Sequence, residues 1–377
     1  MNISSFTKCA NCGACMNICP VEVISVEESG LFYRPAVDEE RCINCGKCAE
    51  RCPVEHLAPA SNVIGAYSAV HKDPSTVSKS SSGGAFSALA ENVLKKNGVV
   101  YGAVFDESFK KIIFASTDEF DLESLRRSKY TESLVGGVFK EIKQNLEKGR
   151  DVLFCGTPCQ AAGLRAFLDR DYDNLLICDF SCGGLPSHII YSDYLDSLES
   201  KYGAKITNVN FRPKTYGWRR HSILVRFENG KEYLRLADRD PYFSAFLHNK
   251  LNVRDYCLNC GFAENHQSDI ILADFWLTEK ITGKSDNDTG ISLILTNTKK
   301  GEEAVAALDQ MTLTPLDTEK ASYNLKPREL STDSIEIRKA YLEGFGCSGA
   351  FAAGTKYSTA KGISDLKLRV KEKIWKK

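Results

Sequence analysis

The sequence predicts two architectures in succession: a small cysteine-rich α+β unit, then a larger α/β domain with an irregular mixed sheet. Three observations lead there. Residues 9–20 (CANCGACMNICP) and 42–53 (CINCGKCAERCP) repeat one cysteine spacing. From about residue 62 onward, strand-length apolar runs alternate with amphipathic segments. The chain's 377 residues, 43% of them hydrophobic, are enough for two or three domains and a sizeable core.

Bulk properties exclude several partners. Lys plus Arg and Asp plus Glu both number 49, so no basic excess points to nucleic acid or an anionic membrane. MNISSFTKCANC has no apolar core and no small-residue cleavage site, so no signal peptide is expected. The longest apolar runs, such as GVVYGAVF at 98–105, are strand-sized, so no membrane span is expected and the predicted location is cytoplasmic. Fifteen cysteines in a reducing compartment point to metal or redox chemistry rather than structural disulfides.

Both N-terminal runs fit C-x2-C-x2-C-x3-C-P, the bacterial ferredoxin pattern for paired [4Fe–4S] clusters. Three closely spaced thiolates wrap one cube, and Gly13, Ala14 and Gly46 let the backbone curl around it. The fourth cysteine, followed by proline, crosses to the other cube. One cluster is thus assigned to Cys9, Cys12, Cys15 and Cys52, the second to Cys42, Cys45, Cys48 and Cys19. Crossed Cys-Pro ligands argue against two zinc sites. VISVEESGLFYRPAVDEE, between the runs, supplies two short strands and a turn. Residues 1–58 therefore form a ferredoxin-like 2×[4Fe–4S] unit. It relays single electrons, so something downstream must exchange them.

HLAPASN (56–62) reads as a linker. Residues 62–70 read as a strand. Residues 84–96 read as a helix with Phe86, Leu89, Ala90, Val93 and Leu94 on one stripe. Strands follow at 98–105 and 111–116, and a helix at 135–148. Residues 151–168 read strand, loop, helix, and 174–203 repeat that order, with His188 in the first turn of its helix. A hairpin spans 221–236, turning at Asn229-Gly230. Residues 268–277 and 290–298 are further strands, and 278–290 read as a polar, flexible loop. The small-residue segment GFGCSGAFAAG and a basic helix, DLKLRVKEKIWKK, lie near the C-terminal end.

Seven cysteines lie outside the first unit: Cys155, Cys159, Cys178, Cys182, Cys257, Cys260 and Cys347. The Cys257/Cys260 pair fits a zinc knuckle, a redox disulfide or half of an iron–sulfur site. Loops at the carboxyl ends of parallel strands line one crevice, so Cys159 and Cys182 can face a common point that Cys257 and Cys260 would close. Cys155 and Cys178 read as small core residues inside strands, and Cys347 stands alone.

Five ordered motifs carry a resemblance: KSSSGGAFSALA (79–90), SKYTES (128–133), VLFCGTPCQAAGL (152–164), CGGLPSHIIYSDYL (182–195) and CLNCGFAENHQSDIILADFW (257–276). Together the chain resembles the coenzyme F420 hydrogenase/dehydrogenase beta-subunit family from about 62 to 310. The resemblance implies an N-terminal-type domain at 62–148, a C-terminal-type domain at 150–315 and a tail at 316–377. It implies bound FAD and a third [4Fe–4S] cluster on Cys159, Cys182, Cys257 and Cys260. The sequence departs from the family pattern at Gly183, where a histidine is common.

With that resemblance, SSSGGAF reads as a pyrophosphate cradle at a helix start, built from Ser81, Ser82, Gly83 and Gly84. Lys129 would supply counter-charge, Tyr130 a stacking ring and Ser133 a donor, while Gly156 and Thr157 would offer amides beside flavin and cluster. FRPKTYGWRR (211–220), basic and aromatic, either holds an anionic substrate or shields the flavin. No catalytic residue is assigned. The expected function is an iron–sulfur flavoprotein oxidoreductase linking a ferredoxin or other electron carrier to a small two-electron substrate. That substrate is F420 or, as bacterial relatives imply, a sugar-linked molecule. The alternatives are a ferredoxin-linked thiol–disulfide reductase, using Cys257/Cys260 or Cys155/Cys159, and a relay subunit of a larger complex. Assembly into a complex or a homo-oligomer stays open.

Overall fold

The structure, a computed structural model, describes residues 2–59, 61–247, 250–325 and 332–358. Its strands are β1 (Ile24–Ser29), β2 (Phe32–Val37), β3 (Gly65–His71), β4 (Val99–Phe105), β5 (Ile112–Ser116), β6 (Ser133–Leu134) and β7 (Val152–Cys155). They continue as β8 (Leu175–Phe180), β9 (Ile206–Asn210), β10 (Ser222–Phe227), β11 (Glu232–Leu236), β12 (Ile270–Asp274), β13 (Ser292–Thr296) and β14 (Met311–Pro315).

In the N-terminal unit, β1 and β2 pair as an antiparallel hairpin between short helices Ala14–Ile18 and Lys47–Glu50. Each helix is preceded by a glycine with positive φ, Gly13 at 84° and Gly46 at 76°, which lets each cysteine run curl back on itself.

The larger domain is built on one nine-stranded sheet of order β14-β3-β13-β12-β8-β7-β4-β5-β6. Its centre, β12-β8-β7-β4, is parallel, and β5, β13, β3 and β14 run antiparallel to their inner neighbours. The parallel strands are buried on both faces, so they read as continuous apolar runs such as VLFC and LLICDF. One face packs on helix Ala85–Leu94 through Ala85, Ala88 and Leu89. The other packs on helices Val138–Glu147 and Pro158–Leu168 through Phe139, Ile142 and Leu164. Strands from both predicted segments, 62–148 and 150–315, interleave: β4 pairs with β7, and β3 with β13 and β14.

A second core lies between helices His188–Tyr202, Pro241–Leu247 and Thr332–Tyr357 and a separate sheet of order β11-β10-β9. The expected hairpin forms, with Gly230 at its turn. Its third strand, β9, carries two asparagines in five residues, which hid it from the sequence reading. The loop expected at 278–290 begins with a helix, Thr278–Thr282. Thr278 Oγ1 donates to the carbonyl of Phe275 three residues back, a local bond at the helix start that polar composition does not reveal. The basic segment 365–377 lies outside the described residues.

Candidate functional site

The eight N-terminal cysteines fall into two neighbourhoods, with Cys15 also within reach of Cys48. Cys12, Cys15 and Cys52 each feel the charge of Cys9, and Cys12 also feels Cys52. Cys19, Cys42, Cys45 and Cys48 line one small cavity whose remaining wall is mostly apolar, including Pro20, Val21, Val23, Ile24 and Val37. Four thiols around a mostly apolar hollow fit a cluster's donor set. Among the described residues, no three His, Cys, Asp or Glu side chains converge on a single-ion site. Zinc holds sulfur at about 2.3 Å, whereas a four-iron cube spreads its ligands farther apart.

The second set also converges. Cys159 lies in the first turn of helix Pro158–Leu168, Cys182 in the loop after β8, and Cys257 and Cys260 around the 3-10 turn Asp255–Asn259. Cys159 feels the charges of Cys182 and Cys257, Cys257 those of Cys182 and Cys260, and Cys182 that of Cys260. The Leu185 amide donates to Cys257 Sγ at 3.4 Å. Thr157 Oγ1 lies 3.1 Å from Cys159 Sγ. Burial pushes the Cys182 thiol up to about 11 and Cys257 to about 12, and raises Cys159 and Cys260 as well. A bound metal would supply the charge that lets such thiols ionise.

The two sets meet at one seam. Cys12 and Cys159 pack in one apolar cluster with Ala10, Ala14, Ala162, Leu185 and Phe262. Cys159 Sγ lies 3.7 Å from the Ala10 carbonyl. Gly163, one turn along the helix from Cys159, is the contact point: a Cβ there would fall 2.7 Å from the Cys12 carbonyl.

A buried polar network holds this seam, and sequence reasoning missed it. Glu132 is fully buried. It accepts from Arg254 Nη2 at 2.5 Å, from the Tyr33 amide at 3.2 Å, and pairs with His188 Nδ1 at 2.7 Å. Arg254 also donates to the Tyr33 carbonyl at 2.6 Å, and the His188 ring stacks on Tyr33 at 3.5 Å. Tyr33 lies on β2, so the network fastens the cysteine-rich hairpin to the α/β domain. Glu132 stood inside SKYTES, but nothing local marks a glutamate whose partners lie up to 122 residues away.

The residues proposed for flavin fall in two places. Ser81 and Tyr130 are joined through Arg212, with Lys129 next to Tyr130 in the chain. Ser81 Oγ accepts from the Ser128 amide at 2.9 Å, its carbonyl accepts from Arg212, and Arg212 also donates to the Tyr130 hydroxyl at 3.2 Å. Lys129 is half-buried over the Phe105 ring, and desolvation together with Arg127 pushes its ammonium down to about 7. Ser133, Gly156 and Thr157 lie instead toward Cys159, where Gln160 links Ser133 Oγ to the Thr157 amide, both at 2.9 Å. Several groups offered to the cofactor are already occupied. The Gly156 amide donates to the Cys178 carbonyl, the Gly83 amide to Ser292 Oγ, and Ser82 Oγ to the Ile291 carbonyl. Gly83 is required by packing, since a Cβ would fall 2.3 Å from the Ala69 carbonyl. What the cradle leaves uncommitted is the N-terminus of helix Ala85–Leu94, which has Gly84 at its cap and no side-chain capping bond.

The segment 211–220 proves largely self-satisfied. Arg212, 5% exposed, pairs with Asp274 at 2.8 Å at the carboxyl end of β12. Trp218 Nε1 donates to the other Asp274 oxygen at 3.1 Å, and its ring stacks on Trp276 at 4.4 Å. Lys214 Nζ donates to the carbonyls of Val77, Ser82 and Thr289. Tyr130 packs on Phe246, whose ring lies against Gly183. Any side chain at Gly183 would strike that ring at 2.9 Å, which accounts for the glycine where the family pattern has histidine.

Comparison with known proteins agrees with this layout. Residues 66–140 match the sequence model for the coenzyme F420 hydrogenase/dehydrogenase beta subunit N-terminus, and 149–320 match that for its C-terminus. Residues 8–56 match the 4Fe-4S dicluster domain. No curated protein matches the chain. Among solved structures, the xenon-derivatised F420-reducing [NiFe] hydrogenase complex from Methanosarcina barkeri contains a similar chain. The identity is 16%, the match covers 76% of this chain and 95% of that one, and the TM-score is 0.44. No helix among the described residues is long and apolar enough to cross a membrane. The chain belongs to the coenzyme F420 hydrogenase/dehydrogenase beta-subunit family, as an iron–sulfur electron-transfer member with a 4Fe-4S dicluster domain at residues 8–56.

Proposed function

We propose that this chain is an iron–sulfur flavoprotein oxidoreductase with three cubane clusters in line. The outer cluster is held by Cys19, Cys42, Cys45 and Cys48, and the inner by Cys9, Cys12, Cys15 and Cys52. The third is held by Cys159, Cys182, Cys257 and Cys260. The observation that carries this reading is the seam at which Cys12 and Cys159 share one apolar cluster. It gives electrons a short path from the N-terminal unit into the α/β domain. Cys45 is exposed and Ile43 beside it is 60% exposed, so an external ferredoxin-type carrier meets the chain at the outer cluster.

FAD would lie in the crevice at the carboxyl ends of β7, β8 and β12, the place where open α/β sheets bind ligands. The start of helix Ala85–Leu94 would face its phosphates, Lys129 would supply charge, and Tyr130 an aromatic face. When bound, a flavin can exchange electrons singly or in pairs, which joins one-electron clusters to a two-electron substrate such as F420 or another small molecule. The Arg212–Asp274 pair and the Trp218–Trp276 stack wall the crevice and exclude water rather than bind an anion. Disulfide chemistry at Cys257 and Cys260 is disfavoured, because both sulfurs stand beside Cys159 and Cys182, where the third cluster would claim them.

The test is anaerobic: reduce the purified protein with dithionite, add candidate acceptors, and follow flavin absorbance. Bleaching on reduction and recovery with a two-electron acceptor support the reading. A protein with no flavin absorbance after anaerobic reconstitution with FAD contradicts it.

A further inference from the structure

Two cysteines remain that no cluster uses. Cys155 ends β7 and Cys178 lies in β8, and the two are direct partners in the parallel register. Residues paired this way point to the same face of the sheet, with strands about 4.8 Å apart. That spacing falls inside the 4.4–6.8 Å range of Cα separations that a disulfide spans, toward its short end. Cys178 Sγ lies 3.6 Å from the Asp179 carbonyl, and its thiol is held protonated by burial and by the neighbouring Cys155.

Their surroundings differ in a useful way. Cys178 is fully buried beneath helix Ala85–Leu94, among Ala85, Ala88 and Leu89. Cys155 is only partly buried, at the strand end that opens on the crevice. The Lys129 amine donates to the Arg126 carbonyl at 3.0 Å and lies near enough to Cys155 for their charges to interact. One accessible thiol beside an amine, backed by a second thiol that is shielded, is the arrangement of an attacking and a resolving cysteine.

We propose that Cys155 and Cys178 form a reversible thiol–disulfide switch in the crevice floor, oxidised by low-molecular-weight disulfides. The Lys129 amine takes the Cys155 proton, and the Cys155 thiolate attacks one sulfur of the small disulfide. An S–S bond forms to Cys155 and the first small thiolate leaves. The Cys178 sulfur then attacks Cys155, passing its proton to the departing second thiolate. The two cysteine thiols are oxidised to one disulfide, and the small disulfide is reduced to two thiols.

The experiment uses the full chain with its clusters, kept anaerobic in glutathione buffers from fully reduced to fully oxidised. Samples are quenched in acid, which strips iron, then alkylated in denaturant and digested. In oxidising buffer the peptides bearing Cys155 and Cys178 should be joined and unalkylated, and in reducing buffer both should be alkylated. In Cys178→Ser, the reaction should stop at a glutathione adduct on Cys155, and the crosslink should be lost. Both cysteines alkylated across the whole range would overturn the proposal. A stable glutathione adduct on wild-type Cys155, with no crosslink, would overturn it equally.

Discussion

Glu132→Ala should release the cysteine-rich hairpin from the α/β domain without unfolding the rest. Glu132 is buried and answers three groups at once: Arg254, His188 and the Tyr33 amide. Removing one partner of a buried pair costs about 3–5 kcal/mol, because the other charge stays buried and uncompensated. Arg254 keeps two acceptors, the carbonyls of Tyr33 at 2.6 Å and Cys9 at 3.4 Å, so the lower figure applies. A loss of about 3 kcal/mol raises the population of the undocked hairpin roughly 150-fold (about 1.4 kcal/mol per factor of ten). Amide hydrogen exchange reads such an opening locally. Amides of β1 and β2 should exchange about two orders of magnitude faster, while β7 and β8 keep their protection. Glu132→Gln, which preserves the shape and part of the bonding, should give about a tenfold change, since bonds to charged groups contribute about 1.5–3 kcal/mol against about 1 for neutral ones. Unchanged exchange in β1 and β2 of the alanine variant, or loss spread evenly over the chain, would refute the idea that this network fastens the hairpin.

Gly163→Val should widen the seam between inner and third clusters. Its Cβ would meet a backbone carbonyl that cannot swing aside, and overpacking of this kind costs about 1–3 kcal/mol. Iron content should hold while the magnetic coupling between reduced clusters weakens, as read by electron paramagnetic resonance. Asp274→Ala leaves the buried Arg212 guanidinium with the Tyr130 hydroxyl and the Ser81 carbonyl as acceptors and should lower stability by about 3 kcal/mol, measured by denaturant unfolding against Asp274→Asn, which keeps one of the two acceptor oxygens. Lys129 contributes a pH dependence of known sign. Its ammonium is held down to about 7 in the folded chain and is near its ordinary value when unfolded. Between those values the unfolded state binds more protons, so stability rises with pH from about 7 toward about 10. Thermal midpoints of the wild-type chain should therefore gain on those of Lys129→Met over that window, and a parallel pair of curves would contradict the assignment.

The legible parts of this molecule are the local ones. Cluster ligands three and four residues apart write their geometry into the spacing, so both N-terminal runs could be read before any coordinates. Apolar runs such as VLFC and LLICDF announced parallel strands because such strands are buried on both sides. Cys159 and Cys182 could be brought together because both follow strands of one parallel set, whereas the spacing of Cys257 and Cys260, which would close the set, left a zinc knuckle and a redox disulfide open until the family resemblance was added. The Glu132–Arg254–His188 network was not legible, since each residue is ordinary in its own segment and gains meaning only across the fold. The hydrogen bonding of the flavin cradle was hidden for a related reason. Ser82, Gly83 and Gly156 read as a ligand-binding chain of donors, and within the fold those donors bond to Ile291, Ser292 and Cys178. Gly83 is glycine because a strand carbonyl leaves no room for a side chain.

The central claim is that four sulfurs from three distant segments hold a third cluster against the inner one, beside a bound flavin. Anaerobic purification followed by iron, acid-labile sulfide and flavin quantification tests it most directly. The account predicts about twelve irons per chain, as three four-iron clusters require, with one FAD. It also predicts that Cys159→Ser removes about four irons and leaves the N-terminal clusters in place. About eight irons and no flavin in the wild-type chain would contradict it.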